Sequence, residues 1–466
     1  MKRILLFTTV VLSSFTVFAQ HEFDKWIFGN GAGLDFSSGS PVVIGSAISG
    51  WDNSASIADS AGNLLFYSNG ELVWDKNGNV MPHGTGILGD TTGGQSATIV
   101  KQPESDSRYF MFTSDSWYTP GNGIRYTVID MSLNGGLGDV DTTEKNVVLL
   151  SPNTTEKIVP ILHGDGINVW IVFHEDDNNT FRAYLLTPGG LETTPIVSSV
   201  GTNYSTNEDG LGQLTVNKQG TLLASALYGA GKIELYNFNN YLGLVSNPVT
   251  ISGYSKALGL EFSPDGSKLY ETGLLSSALT QFDLSTYNAT AIAASAVSVG
   301  SFPSVGGYYA GYLMLGPDDK IYSTPIFSSY VGKIDQPNTL GSGCNYNGTA
   351  INLSPYSLDA GLVGKIGVPH KSCVIEVINE IKVVTEGGNK MKLYPNPSQG
   401  FLNVQYDSNH AFDISIWDIE GRLIKEIKQA EGKVAFDLKP LAKGTYVVKL
   451  YDRVSETEIS QKVVLQ

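Results

Sequence analysis

The chain has 466 residues, a formal net charge of −15, only 16% charged residues and 52 glycines. Glycine at this level without a collagen period excludes a fibrous chain and points to many tight turns between short strands. The acidic balance excludes nucleic acid and anionic membrane surfaces as natural partners.

The N-terminus comes first. Lys2 and Arg3 precede an apolar run from Ile4 to Phe18, and Val17-Phe18-Ala19 is a small-residue cleavage signature. Residues 1–19 therefore read as a secretory signal peptide handled by the Sec translocon, with Gln20 as the new N-terminus. The run is shorter than the roughly 20 residues of a membrane span. No cysteine sits at the cleavage point, which argues against a lipoprotein, and no later segment has the uninterrupted apolar length of an integral membrane segment.

Residues 20–381 form the body. Its 16 basic and 34 acidic residues suit neutral glycans, cationic ligands or Ca²⁺, and equally the solubility of an exported protein. Trp26 to Phe36 opens it with strands expected to pair with the chain near Gly361 to Val374, closing a ring without open sheet edges. One plan then recurs with a period of about 50 residues: an apolar strand, a turn rich in Asp, Gly and Asn, and a second strand rich in Tyr and Leu. Ala55 to Tyr67, Leu214 to Leu223, Leu260 to Tyr270 and Leu313 to Tyr322 carry it, with less regular versions at Ile99 to Phe112 and Val159 to Phe173. Ser54 to Tyr67 and Ala257 to Tyr270 could be misread as helices. Their Gly-Asn and Asp-Gly turns followed by apolar alternation predict hairpins.

The clearest repeat is Ser263-Pro264-Asp265-Gly266-Ser267-Lys268-Leu269-Tyr270. Proline sets φ for the turn, Asp caps it and Gly takes the left-handed position. The string resembles the first turn of a WD40-like propeller blade. At about 50 residues each, the body predicts seven blades. The body is similar to the propeller proteins that accompany sorting tails in Bacteroidetes. An array of β-sandwich domains is the other fold the pattern allows.

No catalytic motif stands out. The histidines (His21, His83, His163, His174, His370, His410) form no His-Glu-x-x-His, and no Gly-x-Ser-x-Gly elbow appears. Gly29-Asn30-Gly31-Ala32-Gly33 precedes a strand and opens no helix, so it is no phosphate cradle. His174-Glu175-Asp176-Asp177-Asn178-Asn179 gathers oxygen ligands without the spacing of a Ca²⁺ loop; it reads as a solvated turn or, failing that, a surface cation site. A propeller glycosidase needs carboxylates converging in the funnel. Asp52, Asp115, Glu175, Asp209 and Glu261 are the acids near strand ends. Arg108, Arg125 and Arg182 do not assemble the trio of a sialidase. Trp51, Trp74, Trp117, Tyr118 and Trp170 lie near loops or strand ends, where rings either stack on a glycan ligand or fill the space between blades. Tyr308, Tyr309 and Tyr312 flank glycines.

Cys344 and Cys373 are the only cysteines. In an exported chain they predict either a disulfide, closing a loop of about 30 residues worth something like 3 kcal/mol, or two buried thiols. Two cysteines are too few for a metal site.

Thr385-Glu386-Gly387-Gly388-Asn389 falls in a polar linker, residues 382–390. Beyond it, residues 391–466 read as a separate small β module of six or seven strands, including Phe401 to Tyr406, Phe412 to Asp418, Leu423 to Ile427, Val434 to Leu438, Thr445 to Tyr451 and Ile459 to Leu465. Tyr394-Pro395-Asn396-Pro397 with Gly400 opens it; Asp418 with Gly421 follows; Gly444-Thr445-Tyr446 and Lys462-Val463-Val464 close it. Together these elements resemble the type A C-terminal sorting domain of the Bacteroidetes type IX secretion system. The resemblance covers about a sixth of the chain. It implies the type IX machinery as a partner, a surface-attached or released mature form reached through the periplasm, and removal of the tail near the linker.

The expected fold is therefore all-β: a seven-bladed β-propeller followed by an immunoglobulin-like β-sandwich sorting domain. The expected function is a binding module for a glycan or surface protein, without cofactor unless Ca²⁺. A propeller-based polysaccharide hydrolase or lyase, and a structural role in adhesion or gliding, are the alternatives.

Overall fold

The computed structural model describes residues 21–361 apart from 51, 53, 117–120, 152–153 and 360, and residues 391–465 apart from 399, 407–409, 419–422, 440, 442, 453 and 455–456. The expected signal peptide and the expected linker at 382–390 lie outside the described residues. The chain divides into two units, one ending at Cys373 and one starting at Val374.

The first unit is built from seven antiparallel meanders. Blade 1 comprises Lys25–Phe28, Ala32–Asp35 and Val42–Gly45, and blade 2 Ala55–Ala58, Leu64–Ser68 and Val73–Asp75. Blade 3 runs through Ala97–Lys101, Arg108–Thr113 and Ile124–Asp130, with Asp139–Val140 and Val147–Leu150 on its outer edge. Blade 4 runs through Thr154–Leu162, Val169–Glu175 and Thr180–Thr187, with Gly190–Leu191 and Ile196–Ser199 outermost. Blade 5 is Leu214–Val216, Leu222–Leu227, Lys232–Asn239 and Leu244–Ser252. Blade 6 is Ala257–Phe262, Lys268–Gly273, Ala278–Asp283 and Val297–Ser301, and blade 7 is Ala310–Leu315, Ile321–Pro325, Tyr330–Ile334 and Tyr346–Asn352. The first strand of each blade packs on the first strand of the next, from blade 1 to blade 7. This is a seven-bladed propeller, not a row of sandwiches.

The first strands are buried on both faces, as in Ala55–Ala58 and Ala257–Phe262. That burial explains why they read as continuous apolar runs instead of alternating ones. Large side chains fill the wedges between blades. Phe110, Phe112, Ile171 and Phe173 join blades 3 and 4, and Val172, Phe181, Tyr236 and Phe238 join blades 4 and 5. The ring closes where Trp26 and Phe36 of blade 1 pack edge-on against Tyr322 of blade 7. Asn30 N–H also donates to Ser357 O at 3.0 Å. The closing segment expected at Gly361 to Val374 lies outside the described residues beyond Gly361.

In a meander ring the turns joining first to second strands all project from one face. Here five of the seven share one chemistry. Asp59 accepts from Ala61 and Asn63, Asp165 from Ile167 and Asn168, Asn217 from Thr221 and Leu222, Asp265 from Ser267, and Asp318 from Lys320. A short side-chain oxygen replaces a backbone acceptor and fixes the turn. Each sequence repeat except Ile99 to Phe112 falls on one of these hairpins. The opposite face carries the loops that enter the first strands and those that join second to third strands.

The second unit has two sheets. One contains Met391–Tyr394, Phe401–Tyr406 and Lys433–Asp437; the other contains Leu423–Ala430, Phe412–Asp418, Gly444–Asp452 and Thr457–Leu465. Leu402, Val404, Phe412, Ile414, Ile416, Val448, Leu450 and Val463 form its core. The alternation in Phe401–Tyr406 is matched by alternating burial.

Candidate functional site

The propeller axis divides into two zones. The inner zone is a hub of polar side chains that cross between blades. Gln95, just ahead of blade 3, donates to Leu214 O at 3.0 Å and accepts from Leu214 N–H at 2.7 Å, so it reaches blade 5. Gln213, just ahead of blade 5, accepts from Leu260 N–H of blade 6 at 2.8 Å and Leu313 N–H of blade 7 at 3.1 Å, and donates to Leu313 O at 2.9 Å. Glu261 of blade 6 accepts from Thr215 Oγ1 of blade 5 at 3.1 Å and Leu315 N–H of blade 7 at 3.1 Å. Lys157 of blade 4 is fully buried and donates to Leu211 O, Gly212 O and Ala226 O at 2.8, 2.6 and 2.6 Å. Burial pulls its pKa down to about 7 against the fields of Glu156 and Asp209. These groups satisfy first-strand backbone that has no neighbour across the channel.

Above the hub lies the mouth. Tyr228, Leu258 and Tyr312 form a buried cluster, with Leu211 and Leu274 packed on it. The Tyr312 hydroxyl lies over Gly94, where a Cβ would come within 1.9 Å of it, so this position demands glycine. Gly94 N–H donates to Glu156 Oε2 at 2.8 Å. Lys256 stands 4.3 Å from the Tyr228 ring centre and pairs with Glu208 at 2.5 Å.

Three carboxylates converge at the rim. Burial first, then the charges of Asp359 and Asp90, push Asp52 up to about 7. Asp359 is raised by burial and steadied by Asn30 Nδ2 at 2.8 Å. Asp90 accepts from Thr92 N–H at 2.7 Å and from Ser116 Oγ at 3.0 Å. Tyr312 is held protonated by burial and by the fields of Asp52, Glu156 and Tyr228.

Of the five acids the sequence singles out, the structure leaves only Asp52 in such company. Asp115 accepts from the amides of Gly121, Asn122 and Gly123 at 2.8, 3.0 and 2.7 Å. Glu175 pairs with Arg182 and holds Asn178 Nδ2 at 2.8 Å. Asp209 caps a short 3₁₀ turn through Ser205 N–H at 2.9 Å and Thr206 N–H at 3.1 Å. Glu261 belongs to the hub. Asp115, Glu175 and Asp209 are committed to their own loops or blades and Glu261 to the two neighbouring blades, so the five do not converge. Arg108 pairs with Glu144 and Asp141, and Arg125 donates to Asn122 O and Asn146 O. No arginine trio forms.

The aromatic expectation needs correcting. Trp74 and Trp170 are each 5% exposed. Trp74 stacks on Tyr67 with centroids 5.5 Å apart, and the Trp170 indole donates to Asn240 O at 2.8 Å. Large rings are drawn into the wedges between blades, where they exclude most water, so both rings are buried where an exposed, ligand-stacking face was expected. Trp51 and Trp117 lie outside the described residues. Cys344 is buried beside Tyr270, while Cys373, its expected partner, lies outside the described residues.

The acidic turn after Val169–Glu175 begins on a buried histidine. His174 is buried, stacks on Tyr204 at 3.8 Å and is pulled down to about 3 by burial. Its Nδ1 donates to Glu175 O at 2.5 Å. Among the described residues no three His, Cys, Asp or Glu side chains are spaced to hold a metal ion.

Gln95, Gln213, Asp90, Asp359 and Tyr228 escaped the sequence reading. One signal was present for the first two: Gly94-Gln95 and Gly212-Gln213 each stand within two residues of the start of a first strand.

In the second unit the opening motif does structural work. Asn396 Nδ2 donates to Lys462 O at 2.7 Å, and its Oδ1 accepts from Val464 N–H at 3.0 Å, tying the Pro395-Asn396-Pro397 bend to the last strand. Gly400 has φ +111 and its carbonyl accepts from Leu438 N–H at 2.7 Å. Tyr446 is buried and lies opposite Asp418. Tyr394 pairs with Asn403 on the neighbouring strand, and Gly444 starts the strand that ends at Asp452. Gly421 lies outside the described residues. Residues 392–466 match the family described as the secretion system C-terminal sorting domain. The tail is a sorting domain. The protein is therefore exported through the type IX secretion machinery, to the cell surface or beyond it. No helix among the described residues is long and apolar enough to cross a membrane.

No curated protein matches the chain. Among solved structures it is similar to a proposed 6-phosphogluconolactonase of Bacteroides uniformis, with 13% identity and a TM-score of 0.43 over 71% of this chain and 98% of that one. It is also similar to the periplasmic gluconolactonase of Pseudomonas aeruginosa, with 14% identity and a TM-score of 0.37 over 77% and 97%. A functionally unknown protein of Desulfotomaculum acetoxidans shares 12% identity at a TM-score of 0.39, over 73% and 88%.

Proposed function

We propose that the exported propeller is a recognition module that takes its ligand at the mouth. One observation carries this reading: the channel below is bridged by Gln95, Gln213 and Glu261, and four of the five acids near strand ends, all but Asp52, are engaged in loop and blade contacts. What remains is a mouth with a tyrosine and leucine cluster beneath it and carboxylates on one side, suited to holding a ligand. Screening the purified full chain against glycan and peptide arrays, with product analysis on every hit, tests it. Binding without turnover is expected; turnover would overturn it.

A hydrolase is the second reading, favoured by Asp52. A carboxyl held near 7 has the pKa a general acid needs at neutral pH. Asp52→Asn would then abolish turnover of any hydrolysed ligand. Export is tested separately: deleting residues 391–466 leaves the protein in the periplasm, whereas normal surface appearance would reject the role of the tail.

A further inference from the structure

Three loops of the mouth face lie side by side, stitched by backbone bonds. Tyr309 N–H donates to Leu274 O at 3.0 Å, Ile326 N–H to Tyr309 O at 3.3 Å, and Phe327 N–H to Asp359 O at 2.8 Å. The path leads from the leucine of the mouth cluster to a carboxylate of the rim. Along it the apolar side chains turn outward: Leu275 is 51% exposed, Tyr308 44% and Phe327 47%, with Val305 also exposed. A contiguous apolar surface on an exported protein marks an interaction site.

Phe327 adds a second, independent sign. Its φ is +50, a left-handed conformation that is a true outlier for a bulky residue. Such strain persists only where surrounding structure imposes it, and it gathers at ligand clamps. Here the bond to Asp359 holds the backbone while about half of the side chain is exposed.

Charge decides the occupant. The apolar crescent ends at Asp359, Asp52 and Asp90. No lysine or arginine side chain reaches Asp52 or Asp359 among the described residues. The body has twice as many acidic as basic residues. A polypeptide strand can lay successive apolar side chains along such a crescent and deliver a cation at its end. We infer that the mouth face of blades 6 and 7 docks an extended polypeptide segment, its apolar side chains on Leu275, Tyr308 and Phe327 and a Lys or Arg between Asp52 and Asp359. This rests on the recognition reading and names the class of ligand.

The test uses the purified full chain and three labelled nonapeptides followed by fluorescence anisotropy. One peptide has a lysine flanked by leucine and phenylalanine; one carries glutamine for the lysine; one carries serine for the apolar residues. The first should bind at least about tenfold more tightly than either control. Asp52→Asn should weaken the first about tenfold and leave the glutamine peptide unchanged. Phe327→Ser and, on a separate loop, Leu275→Ser should weaken the first peptide while thermal unfolding stays as in the parent. Absence of peptide binding, equal affinity for all three peptides, or indifference to these substitutions overturns the inference. Binding of neutral oligosaccharides at this face instead of peptides also overturns it, yet leaves the recognition reading standing. Turnover of any ligand sinks that reading itself.

Discussion

The hub and the mouth lie on one axis and are both rich in buried polar groups, yet they treat those groups in opposite ways. In the hub, Gln95, Gln213 and Glu261 reach backbone atoms of neighbouring blades. At the mouth, Asp52 sits close enough to Asp359 and Asp90 for each charge to oppose the next. The difference separates polar residues that lock a fold from those kept in a conflict that a ligand would relieve. Proteins tolerate such conflict at functional sites and compensate for it elsewhere.

The largest effect should come from breaking the hub. Gln213→Leu strands two N–H groups and one carbonyl in a buried place. It should cost on the order of 4 kcal/mol, read as a lower urea midpoint. A loss below about 1 kcal/mol would show that the bridge is incidental. Gly94→Ala joins the two zones, because its methyl group must displace the Tyr312 hydroxyl. A loss of about 2 kcal/mol is expected together with weakened binding at the mouth. Stability loss with intact binding would uncouple the two zones.

A smaller and pH-dependent effect belongs to Asp52. Folded, it holds its proton up to about 7, against an ordinary value of 3.8. The stability it contributes is therefore complete below pH 4 or so and is lost as pH rises through about 7. Asp52→Asn should stabilise the protein by on the order of 2 kcal/mol at pH 8 and by nothing at pH 4. Equal effects at both pH values would show that burial and the neighbouring carboxylates do not raise its pKa. The smallest change expected is Phe327→Gly, which relieves the left-handed backbone and should raise stability by about 1 kcal/mol at the expense of binding. A destabilised variant would mean that the ring packs more than its exposure suggests.

Much of the fold was legible because its signals are local. The turn at Ser263 to Lys268 dictates a hairpin whatever surrounds it, and the same holds for Asn217 to Thr221. The sorting domain was legible because Asn396, Gly400 and Tyr446 do their work within one small unit. The mouth was not, because it exists only when residues some 300 positions apart meet, as Asp52 and Asp359 do. Tryptophans at strand ends misled for a related reason. Trp74 and Trp170 lie at positions the sequence places near loops, but the wedge between blades takes them in. Gln95 and Gln213 carried no periodic signal at all; their role depends on which strand lies across the channel.

The repeated Asp and Asn turns have a consequence for how such a molecule could be rebuilt. They occupy the face opposite the mouth, and their side chains act within their own hairpins: those of Asp59, Asp165, Asn217 and Asp265 accept hydrogen bonds from groups only a few residues away. That face therefore acts as a chassis. Loops on the other side could be exchanged blade by blade to graft new specificities, with the assembly instructions left untouched underneath.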